Sequence, residues 1–324
     1  MAFGILPAYS GPAGTPGTVT RVGRCPARPV VRSAPAPGRT DVTATITGAQ
    51  WTAVRTALEE TGDRFGELVL SVPADAMATR HWTVAELAAH VGSVGWLYAH
   101  RLRPELAPLP VPALDDHLLG TTVDTIADVN ELVLRHLTDR DPAALVDRLT
   151  ADIGTILDAS AGRDPEELWP WLGDARLPLA GVLAHLLNEL LLHGWDIGRA
   201  RRVPWTIPPE HSALFFELFI VGMVRHGYGR LMDADRPPPA RRIVVRFQSA
   251  YTEPVTFVLA DGLVTVGDPA ERVDVQVTFE PPALSLMLFG RLGRARAALS
   301  GRVRLRGPRP WLLAPFMRVL RAPT

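Results

Sequence analysis

One stretch of this sequence gathers residues that can do chemistry. From Leu179 to Ala200 it reads as a helix with leucine on nearly every side, and His185, Glu189 and His193 recur in it at intervals of four. That spacing stacks the three on one helical face, with Asp196 one turn further along. A helix that is apolar all round packs inside a bundle. A carboxylate among leucines is costly there unless it is paired or binds a metal. Two imidazoles one turn either side of a carboxylate make half of a metal site, of a kind that suits zinc, iron, nickel or copper. A hydrogen-bonded core network and a solvated Glu–His face are the two other readings of the same residues.

A bundle site of this kind needs a ligand from a second helix. His90 is the best placed of the remaining histidines, because Leu87, Val94 and Leu97 share its face and turn it inward. Its plainer reading is a core histidine bonded to a carbonyl. His81 and His100 read as solvated, and His117, His136, His211 and His226 accompany no carboxylate stripe. Asp196 either orients a ligand from behind or pairs with Arg199 or Arg201 at the helix end.

What the chain lacks narrows the chemistry further. Its 324 residues carry 34 basic and 34 acidic side chains, and every basic one is arginine. A Walker-type phosphate loop and a Schiff-base mechanism both need lysine, so neither operates on this chain. Cys25 is the only cysteine, which excludes disulfide frameworks and multi-cysteine zinc sites. It lies between Arg24 and Pro26 and reads as incidental. The zero net charge argues against a general nucleic-acid partner. No apolar run approaches the roughly 18 residues of a membrane span. A cytoplasmic protein acting on a small molecule is the expectation.

The elements that must position these residues fall into three stretches. Residues 1–45 are rich in Gly, Pro, Ala, Ser and Thr, and read as a disordered tail. Residues 46–232 have helical periodicity, with helices expected over 51–70, 84–101, 121–138, 143–160, 179–200 and 209–228. Thr83 and Glu86 form a capping box at the start of the second helix. The segments 102–120 and 162–178 are broken by proline and glycine and read as connections. Three prolines, Pro237 to Pro239, mark a linker. From 241 to 324 the period changes to strand-like. Runs 243–247, 255–259, 263–266 and 273–279 are β-branched, and Asp261-Gly262 is a hairpin signal. A further strand is expected within 301–307, with helices at 282–290 and 309–321. The fold class is therefore a four-helix-type bundle followed by a smaller α+β domain.

Two motifs carry a family resemblance. Trp82-Thr-Val-Ala-Glu-Leu-Ala-Ala-His90-Val and Asn188-Glu-Leu-Leu-Leu-His-Gly-Trp-Asp-Ile197 resemble the mycothiol-dependent maleylpyruvate isomerase family over roughly 46–321. The resemblance implies a DinB-like metal-binding bundle and a sterol carrier protein-like C-terminal domain. It implies zinc, or another divalent metal, held by His90, Glu189 and His193, and leaves His185 without a ligand role. It also implies mycothiol as a low-molecular-weight thiol cosubstrate. A thiol that adds to an activated double bond, permits rotation and leaves is a cis–trans isomerisation of a maleylpyruvate-type substrate; stopping at transfer makes an S-transferase.

A non-enzymatic reading stands beside it. In that reading Val273, Val275, Val277, Phe279, Leu284, Met287 and Leu288 line a cavity for an apolar ligand, and the bundle is a support. The same residues serve equally as ordinary core. Arg302, Arg304 and Arg306 share a strand face that suits either a carboxylate substrate or solvent, and Arg246 stands with them as a further arginine of this domain.

Overall fold

Packing of the leucine-rich helix decides the architecture of this computed structural model, which describes residues 46–106, 111, 113–234 and 237–322. The expected tail, with Cys25, lies outside those residues. Four helices build the bundle: α1 (Gly48–Leu70), α2 (Val84–Leu102), α5 (Pro142–Ser160) and α6 (Leu179–Arg201). α1 and α2 each pack on both α5 and α6. Phe65, Leu58, Leu87, Ile156, Leu183 and Leu186 meet at the centre, all of them fully buried. α6 is buried around most of its circumference, as an all-round apolar helix must be.

Helix starts follow their sequence signals. Thr47 with Gln50, and Thr83 with Glu86, form reciprocal capping boxes at α1 and α2. Asp141 caps α5 through the Ala143 amide. α6 has no side-chain cap. Its first amides, those of Leu179 and Ala180, donate instead to the carbonyls of Glu167 and Pro165. A buried helix start must find such partners.

The two expected connections hold more structure than their prolines suggest. Between α2 and α4 (Ile126–His136) lies a short helix α3 (Leu114–Gly120), where Leu114 and Leu118 join Val111 and Val129 in a separate small cluster. The stretch 162–178 forms a hairpin, β1 (Leu168–Pro170) with β2 (Arg176–Pro178). Both form because apolar side chains between the breakers have somewhere to pack; Trp169, Trp171 and Leu177 are buried. After α6, the expected single helix is α7 (Pro209–Leu214), a π-helical stretch Phe215–Val221 and α8 (Gly222–His226). The wider π turn faces Gly181, where an added Cβ would stand 2.6 Å from the Leu218 carbonyl oxygen.

The C-terminal portion is a mixed five-stranded sheet in the order β5-β4-β3-β6-β7, from β3 (Ile243–Ser249), β4 (Thr252–Ala260), β5 (Leu263–Val266), β6 (Val275–Phe279) and β7 (Val303–Arg306). The β3–β6 pair is parallel and the others are antiparallel. Asp261 and Gly262 make the β4–β5 turn, both with positive φ (50° and 80°), as a two-residue hairpin requires. Val275, Val277 and Phe279 alternate into the core. α9 (Pro281–Leu288), α10 (Arg294–Leu299) and α11 (Leu313–Phe316) complete the portion. The last helix is shorter than the 309–321 pattern, because Pro310–Leu312 is a 3₁₀ turn ahead of it and Pro315 sits inside it.

Bundle and sheet belong to one compact unit. Phe216 of the π-helical stretch packs against Phe279 and Phe247, with ring centroids 4.9 and 5.8 Å away. Asn188 on α6 accepts a hydrogen bond of 2.9 Å from Ser285 on α9. A cavity of about 30 Å³ lies between the π-helical stretch and the sheet, lined by Phe216, Phe247, Phe257 and Leu284 among others.

Trp205 fixes the C-terminal half of α6. Its indole donates to the Leu191 carbonyl at 3.0 Å, and an added Cβ at Gly194 would meet the ring at 2.2 Å. Gly194→Ala should therefore lower stability by about 1–3 kcal/mol, the usual cost of overpacking, as read by thermal unfolding. An unchanged melting temperature would mean that Trp205 is not held against the helix.

Candidate metal centre

α2 and α6 bring the predicted residues face to face. His90 lies midway along α2; Glu189 and His193 lie one turn apart on α6. Nε2 of His90 and Nε2 of His193 each approach Oε2 of Glu189 to 3.3 Å. One ligand atom from each of the three lies within 4.8 Å of the other two, and among the described residues this is the one such cluster. The imidazole rings meet edge to face, 5.1 Å between centroids. Trp82, just ahead of α2, lies 4.8 Å from the His90 ring and 6.3 Å from that of His193. His90 and His193 are buried, and the Glu189 side chain is 13% exposed.

Electrostatics in this enclosure divide the imidazoles. Burial pushes the pKa of His90 and of His185 down, so both rings are neutral. Burial acts the same way on His193, but hydrogen bonds to Asp196 and Glu189 outweigh it and its pKa is raised. Burial opposes ionisation of Glu189 too. The hydrogen bonds from His193 and His90 overcome that, and its carboxyl stays well below the ordinary range. Glu189 is thus held as a carboxylate, and His193 is the most basic of the three rings.

Asp196 accepts from His193 Nδ1 at 3.1 Å. Its other partner is neither Arg199 nor Arg201, the candidates from sequence. Arg199 lies over the Trp195 ring instead. Arg291, from the α9–α10 connection, grips Asp196 in a fork, with Nε at 3.0 Å from Oδ1 and Nη2 at 2.6 Å from Oδ2. The same guanidinium donates through Nη1 to the Phe289 carbonyl at 3.1 Å. Arg291 left no local sequence signal, since only the fold brings the segment after α9 to the end of α6.

His185 stands on the opposite side of Glu189. Its Nε2 is 3.5 Å from Oε1, the oxygen that the other two histidines do not share. Its Nδ1 is 2.9 Å from the Tyr98 hydroxyl, which also receives the Trp171 indole N–H at 2.9 Å. Tyr98 lies two turns beyond His90 on α2 and thus on its face, a spacing visible in the sequence. Burial pushes its phenol pKa up, and it stays protonated. The other histidines stand apart. His81, His117, His136 and His226 are exposed, and His211 faces Thr61. A broad concavity of about 840 Å³ between α1 and α7 contains none of the cluster residues.

Residues 54–198 match the family model described as mycothiol maleylpyruvate isomerase N-terminal domain. The helical bundle is similar to that domain over these residues. The match spans His90, Glu189 and His193. Among solved structures, the mycothiol-dependent maleylpyruvate isomerase is 12% identical and covers 80% of this chain and 95% of its own, with a TM-score of 0.44. Sterol carrier protein 2 from Yarrowia lipolytica is 20% identical over 21% of this chain, with a TM-score of 0.18; this chain spans 63% of its length. Comparison with curated proteins yields no match. No described helix is long and apolar enough to cross a membrane.

The raised pKa of His193 gives a sign that can be checked in the metal-free protein. Its stabilising effect is fully present below the unfolded value of about 6.5 and is lost as pH rises through the higher folded value. Asp196→Asn removes the partner that raises it. The His193 ring should then titrate at lower pH by NMR, and the stability gained on acidification through this range should shrink. A variant that titrates as the parent does would show that Asp196 does not hold this ring.

Proposed function

We propose that this chain is a metal-dependent enzyme of the mycothiol-dependent maleylpyruvate isomerase type, which uses an external low-molecular-weight thiol on an activated double bond. The observation that carries this reading is the convergence of two imidazole nitrogens on one oxygen of a largely enclosed carboxylate. The family match over the same residues supports it.

The donor set fits a divalent metal. His90, Glu189 and His193 offer two nitrogens and one oxygen, the set found where zinc keeps an open catalytic position. His193 Nδ1 is tied to Asp196, which leaves Nε2 as the ligating atom, the usual arrangement behind a metal-bound histidine. A metal in this position supplies the acidity that makes a bound thiol a thiolate at neutral pH.

The rest of the site falls to the protein. No lysine can form an imine, and none of the described residues is a cysteine, so the sulfur nucleophile comes from outside. Trp82 packs beside the two histidine rings of the cluster. Arg291 neutralises Asp196 and keeps it aimed at His193. In the reaction, the thiolate would add to one carbon of the cis double bond, forming a carbon–sulfur bond while the π pair moves onto the conjugated carbonyl as an enolate. Rotation would follow about the resulting single bond. Return of the enolate pair would then re-form the double bond as trans, break the carbon–sulfur bond and release the thiolate.

Purified protein should bind about one divalent metal per chain. Glu189→Ala and His193→Ala should each weaken retention by on the order of a hundred-fold or more, given that loss of a mere supporting residue costs 10–100-fold. Turnover should require added mycothiol or a close mimic and should stop with a strong chelator, while Cys25→Ser stays active. Thiol-independent turnover by the Glu189→Ala protein would overturn the mechanism.

A further inference from the structure

The buried Tyr98 and Trp171 and the part-buried His185 form a polar chain that the mechanism above does not use. One of its hydrogen bonds has a fixed direction, and that bond favours one direction for the next. An indole N–H only donates, so the Tyr98 oxygen accepts from Trp171 at 2.9 Å. The hydroxyl then has one proton to give, and His185 Nδ1 is its partner at 2.9 Å. Nδ1 is therefore an acceptor, and the proton of the neutral ring sits on Nε2. In any imidazole the bond made by one nitrogen sets the state of the other. That Nε2–H faces Oε1 of Glu189 at 3.5 Å. Trp171 and Phe219 pack together against the ring, with centroids 4.9 and 5.1 Å away.

We propose that His185 is a positioning residue: Trp171 and Tyr98 fix it as the Nε2–H tautomer, in which it steadies Oε1 of Glu189 and leaves Oε2 facing His90 and His193. The inference rests on the metal-site reading for its purpose, but the two hydrogen bonds from Trp171 through Tyr98 to His185, and the electrostatic approach of Nε2 to Oε1, stand on geometry alone. With Nδ1 taken up by Tyr98 and Nε2 turned to Oε1, His185 supports the cluster and is not a member of it. In the alternative tautomer the Tyr98 oxygen would accept from both Trp171 and His185, its own proton would lose its acceptor, and a bare nitrogen would face a carboxylate oxygen. Both changes are unfavourable away from water. The relay thus gives the carboxylate one defined orientation between α2 and α6.

The test has two arms on the full chain. Long-range ¹H–¹⁵N spectra of the metal-free protein should show His185 as the Nε2–H tautomer. Cobalt(II) affinity, from competition with a chromophoric chelator, should fall about 10–100-fold in His185→Leu, the usual cost of losing a residue that supports a ligand. His185→Gln places an amide N–H where Nε2–H was, and should stay within about threefold of the parent on the same scale. Tyr98→Phe should give a mixture of tautomers and an affinity between the two. Thermal unfolding confirms that each variant is folded, and if His185→Leu does not fold, Tyr98→Phe decides. An Nδ1–H or doubly protonated His185 in the parent would overturn the relay. So would a folded His185→Leu that binds cobalt as the parent does, or a His185→Gln as impaired as His185→Leu. A parent protein that takes up no cobalt would instead defeat the metal reading, and the tautomer spectrum would still decide the relay.

Discussion

Glu189 is the constraint on which the rest of the structure depends. It is a carboxylate on a helix that buries leucine on most of its surface. An ion in that position is untenable without partners, because its desolvation costs more than any single hydrogen bond returns. Three imidazoles supply the partners: His90 and His193 on one oxygen, and His185 on the other. Each is placed by a different device. The Thr83 capping box fixes where α2 begins and so the rotation that aims His90. The four-residue helical spacing aims His185 and His193. The fold around α6 is a shell that makes a buried anion permissible.

The sheet portion is tied into the same arrangement. Arg291 reaches from beyond α9 to neutralise Asp196, and Asp196 holds His193. Breaking this chain strands a buried carboxylate, which costs more than the pair contributes when intact. Ser285 on Asn188 and the aromatic contacts of Phe216 lock the same two surfaces together. The C-terminal portion thus completes the site from outside the bundle.

Much of this was legible in the sequence, for identifiable reasons. Period and punctuation exposed the main helices, the change to strands after the prolines and the Asp261-Gly262 turn. The stripe on α6 stood out because polar residues at helical spacing are rare on an apolar helix. α3 and the β1–β2 hairpin were hidden, since proline and glycine signal a broken chain but do not say whether the fragments pack. The π-helical stretch follows the same hydrophobic pattern as an α-helix, so its extra residue per turn is invisible without Gly181 beside it. Arg291 was unreadable because its partner lies 95 positions away. His185 was legible as a polar residue on the stripe. Its role depends on Tyr98 and Trp171, which only the folded chain brings to it.

An anomalous-difference map at the zinc edge, from crystals soaked in a zinc salt, tests the central claim most directly. One peak is expected, coordinated by Nε2 of His90, Oε2 of Glu189 and Nε2 of His193, with Tyr98 still bonded to His185. A peak ligated by His185, or no peak at α2 and α6, would contradict the account.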